Sequence, residues 1–124
     1  MRFGYTILYV RDVGASVDFY ERAFGLERRL VHESGEYAEL ETGATALAFA
    51  SHALAAENLP AHSGTDGGGG FEVCLVTEDV PAGYRRAIDA GADPVSEPAS
   101  KPWGQEVAYV RDPDGVLIEI ASPA

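Results

Sequence analysis

The 124-residue sequence predicts an α+β fold in which two tandem βαβββ modules form curved sheets around a concave cleft. The first observation is an internal repeat that aligns residues 5–13, YTILYVRDV, with residues 72–80, EVCLVTEDV, at an offset of 67. The second aligns residues 44–51, ATALAFAS, with residues 115–122, GVLIEIAS, at an offset of 71. Two alignments at nearly the same offset indicate one structural unit that occurs twice.

The first module begins with a strand and continues into a helix. Residues 5–13 are mostly β-branched, aromatic or aliphatic and end on an acidic residue and a valine, as a strand followed by a helix start would. Ala15, Phe19 and Ala23 recur every four residues, which is typical of one face of a helix. Gly25 follows this run and predicts where the helix stops.

The second module repeats this plan. Pro81 follows the strand at a position that the first turn of a helix tolerates. Tyr84, Ala87 and Ile88 then continue the helical spacing up to Gly91. We therefore predict a strand and a helix at the start of both modules.

About three strands follow the helix in each module, and the last of them comes after a glycine-containing turn. These turns are residues 41–43 and residues 112–115, and the second, Asp-Pro-Asp-Gly, is strong turn chemistry. In the strand that follows it, alternation places Val116, Ile118 and Ile120 on one face and Leu117, Glu119 and Ala121 on the other. Either the second face meets water, or Glu119 belongs to a site.

We predict a single domain over residues 1–124. Its first module spans about residues 1–60, a glycine-rich linker spans about 61–70, and the second module spans about 71–122. The tetraglycine of the linker precedes a strand instead of opening a helix and lacks a following Lys-Ser/Thr, so it predicts a flexible connector and not a phosphate loop.

The composition limits the classes of partner. Nine basic and twenty acidic residues give a formal net charge of −11, which disfavours nucleic-acid and anionic membrane surfaces and suits a cationic small molecule. No apolar run approaches the ~20 residues of a membrane span, and the N-terminus lacks the apolar block of a signal peptide. The single cysteine, Cys74, allows no internal disulfide. We expect a cytoplasmic protein that binds neither nucleic acid nor membrane.

Three segments carry a family resemblance that spans nearly the whole chain. They are YTILYVRDVGASVDFYERAFGLE (residues 5–27), GFEVCLVTEDV (70–80) and WGQEVAYVRDPDGVLIEIAS (103–122). Their pattern resembles the vicinal-oxygen-chelate superfamily, which includes glyoxalase I, extradiol dioxygenases and bleomycin-resistance proteins. The Trp-Gly pair before Asp-Pro-Asp-Gly and the acidic composition resemble the bleomycin-resistance proteins in particular. The resemblance implies a small-molecule ligand and a homodimer.

The resemblance also implies four positions for metal ligands, one on the first and one on the last strand of each half. These positions are Tyr5, Ala48, Glu72 and Glu119 in this sequence. A zinc, nickel or iron centre takes three or four ligands with histidine prominent among them, whereas the first module offers a phenol and a methyl group. We therefore expect no cofactor, while a Mg²⁺ or Mn²⁺ site on Glu72, Glu119 and waters stays open. The three histidines of the sequence, His32, His52 and His62, all lie outside these four positions.

Without a metal, the two glutamates admit other roles. In an apolar-walled cleft, desolvation and mutual repulsion raise at least one carboxyl pKa, which suits a general base that abstracts a proton next to a carbonyl. A carboxylate there can instead hold a cationic or hydroxyl-bearing ligand. The structural alternative is that Glu119 and Glu72 are partly solvated strand residues with an arginine or tyrosine partner.

Trp103 is the second candidate feature, because it is the only tryptophan and lies in a Pro-Trp-Gly loop. A flat ring at the mouth of a cleft can stack on a planar or cationic ligand, and it can equally plug the end of a sheet. Tyr5, Tyr9 and Tyr109 can add aromatic surface, although a tyrosine on a strand is by default part of the core. Cys74 lies mid-strand without a sequence-local activator, so a buried small residue is favoured over a reactive thiol.

Two functions from different classes follow. The first is a non-catalytic binder that sequesters a planar or cationic compound, as antibiotic-resistance members do, through Tyr5, Ala48, Glu72, Trp103 and Glu119. The second is an enzyme of the superfamily, a glyoxalase-like lyase or isomerase or a dioxygenase, in which Glu119 is catalytic and acts with Glu72 as a metal ligand or a base. Two of the four implied ligand positions, Tyr5 and Ala48, carry no typical metal ligand, and this favours the binder.

Overall fold

The computed structural model describes residues 4–58 and 71–123, which form two compact units. Within the described residues, the first unit comprises residues 4–21 and 25–58, and the second comprises residues 22–24 and 71–123. In the described ranges the first unit contains β1 (Tyr5–Val10), α1 (Val13–Phe24, all but its last turn), β2 (Glu27–Val31), β3 (Tyr37–Glu41), β4 (Ala46–Ser51) and α2 (His52–Asn58). The second contains β5 (Val73–Val76), α3 (Val80–Asp89), β6 (Asp93–Ser100), β7 (Glu106–Arg111) and β8 (Leu117–Ala121). The predicted α+β fold and its two βαβββ modules are confirmed.

The first unit is a four-stranded sheet with the order β1-β4-β3-β2. β4 returns parallel to β1, whereas β3 is antiparallel to both β4 and β2. One side of the sheet packs against α1, where the rings of Tyr20 and Phe49 meet edge to face with centroids 4.8 Å apart. Leu8 pairs with Phe49 and is buried beside it, so the core lies on this side.

The second unit repeats the topology with the order β5-β8-β7-β6, in which β5 and β8 are parallel. Its helix α3 packs on β6, β7 and β8. α3 lies close to β8 at Gly83, where an added Cβ would lie 3.4 Å from Cγ2 of Ile120. Ile118 and Ile120 are buried on the helix side, which confirms the predicted alternation of β8 at these residues.

The acidic residue that ends both copies of the strand repeat is a helix cap. Asp12 accepts a hydrogen bond from the backbone N–H of Ala15 at 3.0 Å, and Asp79 accepts one from Ala82 at 3.0 Å. Each aspartate satisfies an N–H that the first turn of the helix leaves without a partner. The matched caps show that the repeat encodes the strand-to-helix junction, and Gly25 closes α1 in the left-handed region at φ 67°.

The Asp-Pro-Asp-Gly turn before β8 is organised by a buried side chain. Oδ1 of Asp112 accepts hydrogen bonds from the backbone N–H groups of Asp114 at 2.9 Å and Val116 at 2.8 Å. Gly115 adopts φ 87°, a conformation that a side chain would strain. The turn therefore fixes where β8 begins and which of its residues face the helix.

The structure differs from the sequence-based expectations at α2, at Glu72 and at Cys74, which is exposed instead of buried. Residues 52–58 form α2, whereas no helix was predicted after the last strand of the first module. Glu72 immediately precedes β5 instead of lying within it. The predicted linker at 61–70 lies outside the described residues, and within the described ranges no helix is long and apolar enough to cross a membrane.

Candidate functional site

The second unit places three chemically useful side chains in one row across its sheet. Glu119 on β8 pairs with Cys74 on β5 and with Tyr109 on β7. Residues directly paired on adjacent strands point to the same face. We call the side that bears these three residues the Glu119 face, and alternation along β8 turns it away from α3.

Glu119 is the centre of this row. It is half-buried, and its Oε2 accepts a hydrogen bond from the Tyr109 hydroxyl at 3.2 Å. Burial raises the pKa of Tyr109, and the charge of Glu119 raises that pKa further, because a phenolate would lie beside a carboxylate. Tyr109 therefore stays a neutral hydrogen-bond donor.

Glu72 and Cys74 surround the same carboxylate. Hydrogen bonding to Glu119 is the main reason that the pKa of Glu72 is raised, followed by burial and by repulsion between the two charges. Glu72 thus retains its proton more strongly than an ordinary glutamate does. The pKa of Cys74 is raised mainly by burial and then by Glu119, so its thiol is a poor nucleophile although the residue is exposed.

Trp103 projects from the hairpin between β6 and β7. It is 67% exposed, so its ring is not packed into the end of the sheet. Its Nε1–H donates to Oε1 of Gln105 at 2.9 Å, and Nε2 of Gln105 donates to the backbone carbonyl of Ser122 at 2.8 Å. The hairpin is closed by the backbone hydrogen bond from Lys101 to Gln105 at 2.8 Å.

The first unit presents a different surface at the matching positions. Tyr5 pairs with Ala46 and is 54% exposed, whereas Ala48 pairs with Ile7 and is fully buried. Alternation places Tyr5 and Ala48 on one face, opposite the Phe49 side that packs on α1. We call this the Ala48 face.

The structure adds a residue to the Ala48 face that the sequence analysis missed. Glu39 on β3 pairs directly with Ala48, so a carboxylate stands one strand away from the methyl group. Its Oε2 accepts a hydrogen bond from the Tyr37 hydroxyl at 2.7 Å. Burial and then Glu39 raise the pKa of Tyr37 to about 12. The alternation of Tyr37, Glu39 and Glu41 is the sequence signal for this face, but only the register shows which of them meets Ala48.

Gln105 was also missed, and the signal for it is weak. An isolated glutamine after Trp103 and Gly104 predicts only a turn residue. Its hydrogen bond to Ser122 depends on the pairing of β7 with β8, which brings Ser122 alongside. Sequence spacing alone does not reveal that contact.

The donors available for a metal are few. No group of three or more His, Cys, Asp or Glu side chains in residues 4–58 and 71–123 is arranged to hold a metal ion. His32 is exposed and its Nδ1 is hydrogen-bonded with Ser34 Oγ at 2.7 Å, and His52 begins α2. His62 lies outside the described residues. A transition-metal centre with three protein ligands does not fit this donor set.

Comparisons with known proteins agree on the family. Residues 2–120 match the Glyoxalase/Bleomycin resistance protein/Dioxygenase superfamily. A Synechocystis protein named "Probable lactoylglutathione lyase" is 32% identical over 127 residues, which cover 94% of this chain and 91% of that protein.

Two crystal structures are similar over nearly the whole chain. A glyoxalase-related enzyme from Fulvimarina pelagi has a TM-score of 0.86 and 24% identity, covering 99% of this chain and 88% of the other. A glyoxalase/bleomycin resistance protein/dioxygenase family enzyme from Burkholderia phytofirmans PsJN has a TM-score of 0.85 and 25% identity, covering 96% of both chains. The fold is thus shared with this superfamily.

Proposed function

The chain belongs to the Glyoxalase/Bleomycin resistance protein/Dioxygenase superfamily, and we propose that it is a metal-free small-molecule-binding protein of that superfamily. Its ligand is a planar or cationic compound that it sequesters, in the manner of a drug-resistance binder. The residues that bind this ligand are Tyr5, Ala48, Glu72, Trp103 and Glu119.

The observation that carries this proposal is the environment of Glu119. Burial and Glu119 raise the pKa values of Cys74 and Tyr109 above their ordinary values, so both neighbours are neutral at neutral pH. A carboxylate between two neutral groups attracts a cationic ligand and accepts its charge-assisted hydrogen bond. The net charge of −11 adds a long-range attraction for cations.

Aromatic surface supplies the planar part of the recognition. Trp103 and Tyr5 are exposed, although burial of a large aromatic side chain is usually favourable. Exposed rings of this kind stack on flat ligands and on cations. Ala48 is fully buried, and it contributes only by placing no metal-binding donor atom at its position.

The donor set at the four implied positions supports a metal-free protein. Tyr5 and Ala48 stand at two of the positions, which leaves Glu72 and Glu119 as the carboxylate donors. The two carboxylates could contribute to a weak Mg²⁺ or Mn²⁺ site completed by waters, because hard cations accept oxygen ligands. No binding step in this proposal uses a metal.

A titration followed by calorimetry and by Trp103 fluorescence tests the proposal. The probes are 9-aminoacridine, a cation at neutral pH, and acridine, its mostly neutral parent. We expect saturable binding, and we expect Glu119→Gln to weaken the cation about tenfold while changing the neutral probe by less than about twofold, because a hydrogen bond to a charged group contributes about 1.5–3 kcal/mol. Glu78→Gln, an exposed loop residue of the same unit, is the matched control. A flat response to these and a broader panel of polycyclic compounds rejects the binder.

The alternative is an enzyme, a glyoxalase-like lyase or isomerase or a dioxygenase. The name of the Synechocystis relative favours it, as does the half-buried Glu119, which could abstract a proton next to a carbonyl. In this case Glu72 and Glu119 act as metal ligands or as a base. Turnover of hemithioacetal or catechol substrates that is lost in Glu119→Gln would establish the alternative.

A homodimer and a cytoplasmic location are part of the same proposal. Leu30 and Val31 are exposed on β2 and Val95 is exposed on β6, and both strands lie at sheet edges. Edges with exposed apolar side chains are commonly covered by another chain. Sedimentation velocity tests this point, and a monomer at micromolar concentration would contradict it.

A further inference from the structure

The Trp103 side chain is largely exposed to solvent. Among the large hydrophobic side chains of the described residues, Trp103 is the most exposed, at 67%. A ring with so little burial gains little from packing, so packing alone does not fix its orientation. Hydrogen bonds must then supply whatever restraint the indole has.

Gln105 supplies that restraint through a chain of hydrogen bonds. Its amide oxygen accepts from the indole Nε1–H at 2.9 Å, and its amide nitrogen donates to the carbonyl of Ser122 at 2.8 Å. Ser122 is itself tied to β7, because its Oγ accepts from the backbone N–H of Glu106 at 3.0 Å. The exposed ring is thus connected to the end of β8, the strand that carries Glu119.

The residue type matters for this connection. A glutamine side chain offers an acceptor and a donor on one planar group, whereas glutamate offers only acceptors and methionine offers no strong donor or acceptor. The connection also uses the only hydrogen-bonding group of the indole. A ligand can then meet Trp103 through the π faces of the ring, which selects a flat or cationic compound over one that needs an indole donor.

We infer that Gln105 is a positioning residue that holds the Trp103 indole in one orientation for stacking. Its effect on the ligand rests on the proposed function, whereas its effect on the ring does not require a ligand. A ring that is ordered before binding loses less conformational freedom when the ligand arrives. Gln105 therefore acts through Trp103 and not by contact with the ligand.

Time-resolved fluorescence anisotropy of ligand-free protein tests the inference, because Trp103 is the only tryptophan. We expect Gln105→Met to add a fast local motion of the indole and Gln105→Glu to give an intermediate result, since glutamate keeps only the bond from the ring. Lys101→Met is the matched control in the same hairpin and should behave like the wild type. Circular dichroism confirms that each variant is folded.

The same variants are then titrated with 9-aminoacridine. We expect Gln105→Met to weaken binding about two- to tenfold, as the ordering of one large side chain predicts, with no change in Lys101→Met. Wild-type anisotropy decay in Gln105→Met overturns the inference. If the wild type binds neither acridine, the proposed function fails, and the anisotropy result still decides whether Gln105 positions the ring.

Discussion

The Ala48 face and the Glu119 face occupy the same place in a repeated unit and differ in where the carboxylate stands. In the second unit, Glu119 lies on the last strand between Cys74 and Tyr109. In the first, the matching residue is Ala48, and Glu39 stands on the neighbouring strand. The sides that pack on the helices remain apolar in both units, with Phe49 and Ile120 buried. Duplication has thus preserved the packing side and allowed the opposite side to diverge.

The two faces also differ in what the carboxylate influences. Glu119 raises the pKa values of three groups, Glu72, Cys74 and Tyr109. The described contacts of Glu39 are a hydrogen bond from Tyr37 and a long ion pair of 3.9 Å with Arg29. A carboxylate with an arginine nearby is partly neutralised, whereas one between the neutral side chains of Cys74 and Tyr109 keeps its negative field. This difference is why we assign recognition of a cation to the Glu119 face.

The largest expected effect is on the free energy of unfolding, and it concerns the turns that precede β4 and β8. Asp112→Ala removes the acceptor of two backbone N–H groups in a buried turn, and we expect it to lower the free energy of unfolding by about 2–4 kcal/mol. In the matching turn of the first unit the exposed Thr42 hydroxyl donates one hydrogen bond, to the carbonyl of Thr45, so Thr42→Ala should lower it by only about 0.5–1.5 kcal/mol. Urea unfolding measures both. Equal effects would show that the two turns are equally important, and Asp112→Asn, which keeps the acceptor oxygen, should lie near the wild type.

The second effect concerns the field of Glu119 at Cys74. Glu119→Gln removes a charge that raises the thiol pKa, so alkylation by iodoacetamide below that pKa should become about two- to fivefold faster. Burial remains the main cause of the raised pKa, which therefore stays above the ordinary value. The rate is followed by mass spectrometry across a pH series, with Glu78→Gln as the control. An unchanged profile would mean that the two side chains do not interact.

The corresponding experiment on the first unit uses Tyr37. Glu39→Gln should lower the pKa of Tyr37 from about 12, but not as far as the ordinary 10.0, because burial, the largest single cause, remains. NMR titration of ring-labelled tyrosine measures the value. Glu41→Gln changes a carboxylate of the same strand and serves as the control. A pKa that stays at about 12 in Glu39→Gln would separate Glu39 from Tyr37.

The smallest expected effect is on stability as a function of pH. The pKa of Glu72 is raised in the folded protein, so the fold favours its protonated form. Stability from this group is present below the ordinary value of 4.5 and is lost as the pH rises through the folded value. Glu72→Gln should therefore be slightly more stable than the wild type at pH 7 and equal to it in acid. Because Glu72 is exposed, the difference in stability between the variant and the wild type is small. A variant less stable than the wild type at pH 7 would contradict repulsion between the carboxylates of Glu72 and Glu119.

The sequence predicted the features that local chemistry determines. The acidic residue before each helix is a cap, and the alternation of β8 follows from the Asp112 turn. The helix α2 was not predicted, because its alanines favour a helix without giving an apolar period to detect. Glu39 and Gln105 were missed because one neighbour of each, Ala48 on β4 and Ser122 after β8, comes from a different part of the sheet. Strand register decides such contacts, and an alternating pattern does not encode it.

Binding in the absence of metal tests the central claim most directly. Protein purified without chelator is analysed for metals, dialysed against EDTA and titrated with 9-aminoacridine, in the wild type and in Glu119→Gln. We predict substoichiometric metal, unchanged affinity after EDTA and an affinity about tenfold lower in Glu119→Gln, as loss of a charge-assisted hydrogen bond requires. Stoichiometric zinc, nickel, manganese or iron, with binding that disappears on chelation, would contradict the account.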